Sequence, residues 1–300
     1  MKPGISAVIV VHNQVDLLTN CLKSINKWVD EIIIIDLEST EDVKSISSAY
    51  KAKYFTHELV PIVENIRQDS LKYAEREYVL FIDPDETIPE SLAKDLVAKV
   101  ETGEYDYFMT PRQNYVFGKW VRHSRWWPDL QTRVFRTDKV TWGKTLHAEA
   151  VATGKGYTYE SVEAFAIRHI NYRTLDEFIA KNMRYAKTDA LERVKSGDKL
   201  SLLTATKLSI SELISRFFAG EGYRDGMHGL VLSILQSFYY FMVYTYYWEA
   251  MQYAELESES TIKSFPRTWF SLGLRETLHW DKAKTFAKTI KEKLVRRMIA

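Results

Sequence analysis

The feature that most constrains this sequence is an apolar run that ends in acids, YVLFIDPDE at residues 78–86. A short run rich in β-branched and aromatic residues predicts a strand buried on both faces, as in a parallel sheet. Open parallel sheets bind their ligands at the carboxyl ends of the strands. Asp83 and Asp85 at such an end favour a hard divalent cation, which in turn attracts phosphate. The alternative is an acidic turn that caps a helix beginning near Pro89.

Composition limits the class of protein. The 300 residues are 46% hydrophobic and 13% aromatic, which is enough for one large domain, or for one domain with an appendage. The formal net charge of +1 predicts no nucleic-acid partner. The single cysteine, Cys21, excludes a disulfide framework and a cysteine-based zinc site. The first apolar run is too short for a signal peptide, so we expect a cytoplasmic protein.

Strands and helices alternate in the first third of the chain. The pattern predicts strands at residues 5–11, 31–36 and 52–55, and helices at residues 16–28 and 62–74, before the strand that precedes Asp83. This alternation requires crossover connections and therefore predicts a mostly parallel sheet. The acids that follow the second and fourth strands, Asp36 and Asp83, should then lie at the same edge.

Polar residues at that edge are candidates for binding a nucleotide. Asp36 is well placed to accept hydrogen bonds from a nucleoside, and Asn13 follows the first strand at the same edge. Arg67 could meet a diphosphate with two parallel hydrogen bonds. The chain contains neither a GxGxxG fingerprint nor a P-loop motif, so neither a dinucleotide fold nor a P-loop enzyme is supported.

The segment from residue 105 to residue 136 is dense in aromatic residues and arginines. Sugars bind to aromatic faces and to planar hydrogen-bonding groups, and an anionic acceptor would favour arginine. We therefore predict acceptor contacts from Trp126, Trp127, Arg125 and Arg133. The alternative is a twisted sheet edge with its tryptophans in the core, which the proline after Trp127 disfavours within a strand.

The chain becomes helical after residue 173, which predicts a catalytic domain at 1–173 and a helical region at 174–300. Residues 230–248 carry no charge but include five tyrosines, so we expect a buried or interfacial helix rather than a membrane span. Residues 281–297 place apolar side chains on one helical face and lysines and arginines on the other. That pattern is typical of a helix on an anionic membrane, or of an ordinary surface helix.

The order of several motifs resembles the family-two GT-A glycosyltransferases, and within them the branch of lipopolysaccharide-core glucosyltransferases. The motifs are AVIVVHN, EIIIIDLEST, ENIRQDSLKYA and YVLFIDPDE, followed by NYVFGKWVRHSRWWPDLQTRVFR, LHAEAV and IRHINYRTLDEF. They cover about the first two thirds of the chain in order and spacing. Two motifs depart from the family pattern: DLEST lacks a second aspartate and a glycine, and His-Ala-Glu replaces an adjacent His-Glu. The resemblance implies a GT-A fold, a Rossmann-like, mostly parallel sheet flanked by helices, here with a helical C-terminal appendage.

The resemblance also implies an activity and roles for single residues. It implies an inverting transfer of a sugar from a nucleotide-diphosphate sugar, with a UDP-sugar favoured, assisted by Mn²⁺ or Mg²⁺. Asp83, Asp85 and His169 would hold the metal, with His169 at the end of its strand, and mixed oxygen and nitrogen ligands suit Mn²⁺. Glu149 stands where the family has the base that deprotonates the acceptor. Asp129 competes for that role, or holds the acceptor sugar.

The implied acceptor is a glycan, a lipid-linked sugar or a lipopolysaccharide-type molecule of the cell envelope, reached from the inner face of the membrane. Two other functions remain open at this point. The first is a sugar-nucleotide nucleotidyltransferase, which would need a glycine-rich basic loop after the first strand, where this chain has VVHNQVDLL. The second is a non-catalytic membrane-surface protein with the same fold.

Overall fold

The structure is a computed structural model that describes residues 2–142 and 150–280. The chain forms two compact units, Met1–Trp120 with Trp126–Arg173, and Val121–Arg125 with Thr174–Ala300. The division predicted between residues 173 and 174 does not anticipate the short segment Val121–Arg125, which belongs to the second unit. The predicted base Glu149 and the predicted amphipathic helix at 281–297 lie outside the described residues.

The first unit is built on a seven-stranded sheet with the order β12-β6-β9-β4-β1-β2-β3. Six of these strands run in parallel, because β9 alone pairs in an antiparallel manner with both of its neighbours. The prediction of a mostly parallel sheet is confirmed. The strands are β1 (Lys2–Val11), β2 (Glu31–Asp36), β3 (Lys53–Thr56), β4 (Arg76–Phe81), β6 (Tyr107–Thr110), β9 (Gln131–Arg136) and β12 (Gly156–Thr158).

A second sheet of the same unit has the order β5-β13-β7-β8. Its strands are β5 (Glu86–Thr87), β7 (Arg112–Val116), β8 (Lys119–Trp120) and β13 (Ile167–Tyr172), and a separate pair joins β10 (Val140–Trp142) to β11 (Ala150–Ala152). In β13, His169 lies opposite Glu86 on one side and Asn114 on the other. The expectation that this strand ends at His169 is wrong, since it continues to Tyr172.

Both faces of the central sheet are covered, which explains why its strands read as continuous apolar runs. Successive residues of β1 point to opposite faces, so Ile9 joins one buried cluster and Val10 another. Helix α1 (Val15–Ile25) corresponds to the helix predicted at residues 16–28. It buries a stripe of apolar residues at helical spacing, namely Leu17, Leu18, Cys21, Leu22 and Ile25. The other helices of this unit are α2 (Val43–Ala49), α3 (Glu64–Ser70), which continues as a 3₁₀ turn over Leu71–Tyr73, and α4 (Glu90–Thr102), which begins directly after Pro89.

The second unit consists of the helices α5 (Leu175–Ser196), α6 (Leu202–Ile214), α7 (Met227–Ala250) and α8 (Glu259–Trp280). Helix α7 packs against α5 and α6, and α8 packs against α6. The buried carboxylate of Asp225, in the 3₁₀ turn Gly222–Asp225 that precedes α7, accepts hydrogen bonds from the backbone N–H groups of Arg122 and His123. These bonds hold the segment Val121–Arg125 against that turn. Among residues 2–142 and 150–280, no helix is both long enough and apolar enough to cross a membrane.

Candidate active site

Asn13 lies just after β1 and holds the loop that follows β2. Its backbone is in the left-handed region, with φ 60°. Its side-chain oxygen accepts hydrogen bonds from the N–H groups of Thr40, at 2.8 Å, and Glu41, at 3.2 Å, and its own N–H donates to Ser39 Oγ. The structure therefore places Asn13 at the predicted edge, where its carboxamide oxygen orders the loop.

Asp36 ends β2 at the same edge and is almost fully buried. One of its oxygens accepts a hydrogen bond from the N–H of Ser39 at 2.9 Å, and the other accepts one from the Tyr54 hydroxyl at 2.6 Å. The hydrogen bond to Asp36, together with burial, raises the pKa of Tyr54 to about 12. Since a carboxylate offers about four acceptor positions, Asp36 keeps acceptor capacity for the hydroxyl groups of a ligand.

Asp83 lies between two guanidinium groups. Its Oδ1 is 3.3 Å from Arg67 Nη2, and its Oδ2 is 2.6 Å from Arg133 Nη2. Burial alone would raise the pKa of Asp83, but the charges of Arg133 and Arg67 outweigh it and hold that pKa well below its usual range. Asp83 is therefore fixed as a carboxylate. Arg67 also stacks on the Phe81 ring, with its guanidinium carbon 5.1 Å from the centroid.

Glu86 is the acid that the sequence reasoning missed, although it directly follows Asp-Pro-Asp. It is fully buried and contacts Arg133 at 2.5 Å and Arg112 at 3.1 Å. Its second oxygen accepts a hydrogen bond from the N–H of Asp83, so the acid also fixes the turn that carries Asp83. Arg133, predicted to contact the acceptor, is 3% exposed, and its Nη2 binds both Asp83 and Glu86.

Asp129 is held by three side chains. One oxygen accepts hydrogen bonds from Arg112 Nε at 2.8 Å and Asn114 Nδ2 at 2.9 Å, and the other accepts one from Gln131 Nε2 at 2.7 Å. Burial would raise the pKa of Asp129, but the charge of Arg112 and these hydrogen bonds outweigh it and lower the pKa. A carboxylate with a lowered pKa is a weak general base, so this environment disfavours Asp129 as the proton acceptor.

Asp85 and His169, two of the three predicted metal ligands, lie close together. Asp85 Oδ2 lies 3.4 Å from His169 Nε2. The backbone carbonyl of Asp85 accepts a hydrogen bond of 2.9 Å from the N–H of Ile170. The other ring nitrogen of His169 lies 2.7 Å from Asn114 Oδ1. In the part of the chain that the structure describes, no group of three or more histidine, cysteine or acidic residues could hold a metal. Of the three predicted metal ligands Asp83, Asp85 and His169, the last two form a pair. This pair fits a cation that takes its remaining ligands from substrate phosphate or water.

The predicted acceptor residues divide between the two units. Trp126 and Trp127 belong to the first unit, where Trp127 packs edge-on against Trp120 with ring centroids 5.2 Å apart. Both are half-buried, and the Trp126 carbonyl accepts a hydrogen bond from Asn114. Arg125 belongs to the second unit, where its guanidinium contacts Ser215 at 2.7 Å and Glu212 at 3.4 Å.

Comparison with known families is decisive for the class of protein. The family described as "Glycosyl transferase family 2" matches residues 6–165, more than half of the 300-residue chain. The chain belongs to glycosyl transferase family 2. The predicted enzyme class, a glycosyltransferase, is confirmed, and the match spans the described site residues from Asn13 to Asp129.

Relatives of this glycosyltransferase include an uncharacterized glycosyltransferase of Rickettsia felis, 25% identical over 89% of this chain and 96% of the relative. The poly(ribitol-phosphate) beta-glucosyltransferase of Bacillus spizizenii is 38% identical over 98 residues, which cover 28% of this chain and 15% of that protein. Among solved structures, S. aureus TarS in complex with UDP is similar at a TM-score of 0.45 and 18% identity, over 86% of this chain and 93% of that one.

The buried charges of this glycosyltransferase predict a stability effect. Replacing Arg133 by Met would leave Glu86, which is fully buried, without its closest cation. Removing one partner of a buried ion pair typically costs about 3–5 kcal/mol, so we expect the free energy of unfolding in urea to fall by about 3 kcal/mol or more. The matched control is Arg125→Met, whose partly exposed ion pair with Glu212 should contribute less than about 1 kcal/mol. Equal effects of the two substitutions would contradict the prediction.

Proposed function

We propose that the protein is an inverting, divalent-metal-dependent glycosyltransferase that uses a nucleotide-diphosphate sugar, with a UDP-sugar favoured. Its acceptor is a glycan, a lipid-linked sugar or a lipopolysaccharide-type molecule, as in the branch of lipopolysaccharide-core glucosyltransferases that the motifs resemble. The partial similarity to a Bacillus enzyme named for glucosyl transfer to poly(ribitol-phosphate) supports a polymeric acceptor. We propose that the enzyme acts at the inner face of the membrane.

The observation that carries the proposal is the placement of two acidic sites on either side of β1. Asp36 ends β2, the Asp83–Asp85 turn follows β4, and β1 lies between these strands. Neighbouring strands are about 5 Å apart, so the two sites are separated by about 10 Å. This separation suits a donor whose nucleoside binds at Asp36 while its diphosphate reaches Asp85.

Different residues of the chain bind different parts of the donor. Asp36 accepts hydrogen bonds from the nucleoside, and Arg67, held beside Asp83, faces the diphosphate. Asp85 and His169 would hold the divalent cation, which would supply positive charge to neutralise the departing diphosphate. Asp83 is the fixed carboxylate that orients Arg67, and we assign Arg133 to the support of Asp83 rather than to the acceptor.

The acceptor would bind beside Trp126 and Trp127, whose partly exposed rings can pack on a sugar. Asp129, ionised and fixed by Arg112 and Asn114, is suited to accept hydrogen bonds from acceptor hydroxyl groups. Glu149, which stands in the family position of the base, removes the proton from the attacking hydroxyl. A single in-line displacement at the anomeric carbon then inverts its configuration.

Calorimetric titration with a panel of nucleoside diphosphates tests the donor site. We expect UDP to bind best, and we expect Asp36→Asn to weaken its binding about tenfold or more, because a hydrogen bond to a charged group contributes about 1.5–3 kcal/mol. Glu31→Gln, at the amino end of the same strand, is the matched control and should leave UDP binding unchanged. Wild-type affinity in Asp36→Asn would remove Asp36 from the donor site.

A surface of the second unit supports membrane contact. Four exposed apolar residues of α7, at spacings of three and four, lie along one face of the helix, namely Met227, Leu230, Ile234 and Phe238. We call them the α7 stripe. Residues 281–297 add several lysines and arginines, and each contributes about 1 kcal/mol near an anionic membrane.

Flotation with liposomes tests this contact. We expect the protein to float with anionic vesicles at low salt and to be released at high salt, because salt screens the attraction between surface charges. Removal of residues 281–300, or Met227→Ser combined with Phe238→Ser, should reduce flotation. Leu59→Ser, at an exposed apolar residue of the first unit, is the control. An absence of flotation at low salt would show that the α7 stripe does not bind lipid.

A further inference from the structure

We propose that Asn114 is a positioning residue: it fixes the His169 ring so that Nε2 presents its lone pair to the cation shared with Asp85. This inference rests on the metal-binding role proposed above for Asp85 and His169. Asn114 would not touch the cation or the substrates. It would act only through the ring of His169.

The orientation of the Asn114 carboxamide is determined by its neighbours. Its Nδ2 lies 3.0 Å from the Trp126 carbonyl oxygen and 2.9 Å from an Asp129 oxygen, and both can only accept hydrogen bonds. Its Oδ1 lies near His169 Nδ1 and near the donor Asn171 Nδ2, at 3.4 Å. A flipped amide would place oxygen against two acceptors and nitrogen against a donor, so only one orientation satisfies the network.

This orientation also determines which nitrogen of the histidine carries the proton. Because Asn114 Oδ1 is an acceptor, the His169 Nδ1 atom, 2.7 Å away, must be the donor. In the neutral ring the remaining nitrogen, Nε2, then has no proton and exposes its lone pair. A histidine that ligates a metal through one nitrogen commonly donates a hydrogen bond from the other, which fixes its tautomer and orientation.

The Nε2 atom lies close to Oδ2 of the Asp85 carboxylate. The two atoms are 3.4 Å apart, and both are electron-rich when the ring is neutral and the acid is ionised. A positive charge shared by the two atoms, either a proton on the ring or a divalent cation, makes such a pair favourable. Together the two atoms offer one nitrogen and one oxygen ligand, a set that suits Mn²⁺.

Strand register explains why these residues meet. Asn114 on β7 is the direct neighbour of His169 on β13 in the parallel pairing, so both side chains lie on the same face of the second sheet. His169 is 5% exposed and Asn114 is 1% exposed. Burial protects their hydrogen bond from competition with water, so the ring cannot easily reorient.

The test compares UDP affinity with and without Mn²⁺ in wild type, Asn114→Ala and Asn171→Ala. We expect Mn²⁺ to strengthen UDP binding to wild type, and we expect Asn114→Ala to reduce that gain about 10–100-fold, the usual effect of losing a residue that supports a metal ligand. UDP affinity without metal should stay unchanged, which shows that the variant is folded. Asn171→Ala, which removes a different hydrogen bond to the same amide, should keep the gain. A wild-type gain in Asn114→Ala, or equal losses in both variants, would overturn the inference.

His169→Ala separates the inference from the proposed function. If wild type shows no Mn²⁺-dependent gain, or if His169→Ala keeps it, the proposed metal site itself fails. If His169→Ala loses the gain and Asn114→Ala keeps it, only the positioning role fails. Long-range ¹H–¹⁵N NMR of wild type, assigned with His169→Ala, gives a readout that does not require Asn114→Ala to fold: the Nδ1–H tautomer is expected, and the Nε2–H tautomer would overturn the inference.

Discussion

Replacing Asp85 by Asn is expected to lower sugar transfer about a thousandfold while leaving the fold intact. The neutral amide is a weaker cation ligand and would not neutralise the charge of a cation bound beside His169. Loss of the charge stabilisation that a bound cation gives to a leaving diphosphate is worth several kcal/mol, and about 4 kcal/mol corresponds to a thousandfold. The fold should survive, because the hydrogen bond between Asp85 and Ile170 uses the backbone carbonyl. The measurement is kcat with saturating donor and Mn²⁺, alongside the melting temperature.

The matched control for Asp85→Asn is Asp95→Asn. Asp95 lies on α4 and pairs with Lys99 four residues later, so its substitution removes a carboxylate that has no proposed part in catalysis; its side chain is 33% exposed, against 13% for Asp85. We expect wild-type turnover from this control. Wild-type turnover from Asp85→Asn in Mn²⁺ would refute the role of Asp85.

Glu149→Gln is expected to lower turnover about 10²–10⁴-fold, because a positioned general base contributes about that factor and an amide cannot accept the proton. UDP affinity should be retained, since the substitution leaves the edge formed by Asp36 and Asp85 unchanged. The measurement is kcat for transfer beside the UDP dissociation constant. This prediction rests on the family resemblance at Glu149 and on the surroundings of Asp129, whose lowered pKa makes it the poorer base.

Asp129→Asn is the counterpart of that experiment. The amide can still accept hydrogen bonds but no longer carries the charge that pairs with Arg112. We expect a higher KM for the acceptor and little change in donor affinity. An active Glu149→Gln together with an inactive Asp129→Asn that has also lost donor hydrolysis would require the two roles to be exchanged.

The sequence predicts those parts of the fold that depend on local pattern. The strand that precedes Asp83, the stripe of α1 and the start of α4 after Pro89 all follow from apolar periodicity and from proline. The meeting of Asp36 and Asp83 at one edge follows from the parallel order of strands, which the alternation of elements implies. These inferences need no knowledge of which distant residues touch.

The rest of the site depends on pairings between distant residues, which periodicity does not encode. Arg133 lies 50 positions after Asp83, and only the pairing of β9 beside β4 brings it to that acid. The role of Glu86 is hard to predict from the sequence, because Asp83 and Asp85 before it already account for a cation site at the end of the strand. The position of His169 inside β13 could not be predicted either, since the residues after it read equally well as a loop. The role of Glu149 stays a prediction, because it lies outside the described residues.

The reversed strand β9 has a consequence for the order in which the chain can fold. Strand β6 pairs only with β9 and β12 within the described sheet, and both follow it in the chain. During synthesis, β1 to β4 can pair as soon as they emerge, whereas β6 must wait about twenty residues for its nearest partner. The same delay holds for Asp83, whose guanidinium partner Arg133 arrives on β9. A nascent chain that stops before β9 should therefore expose an open sheet edge beside β4 and be prone to aggregate.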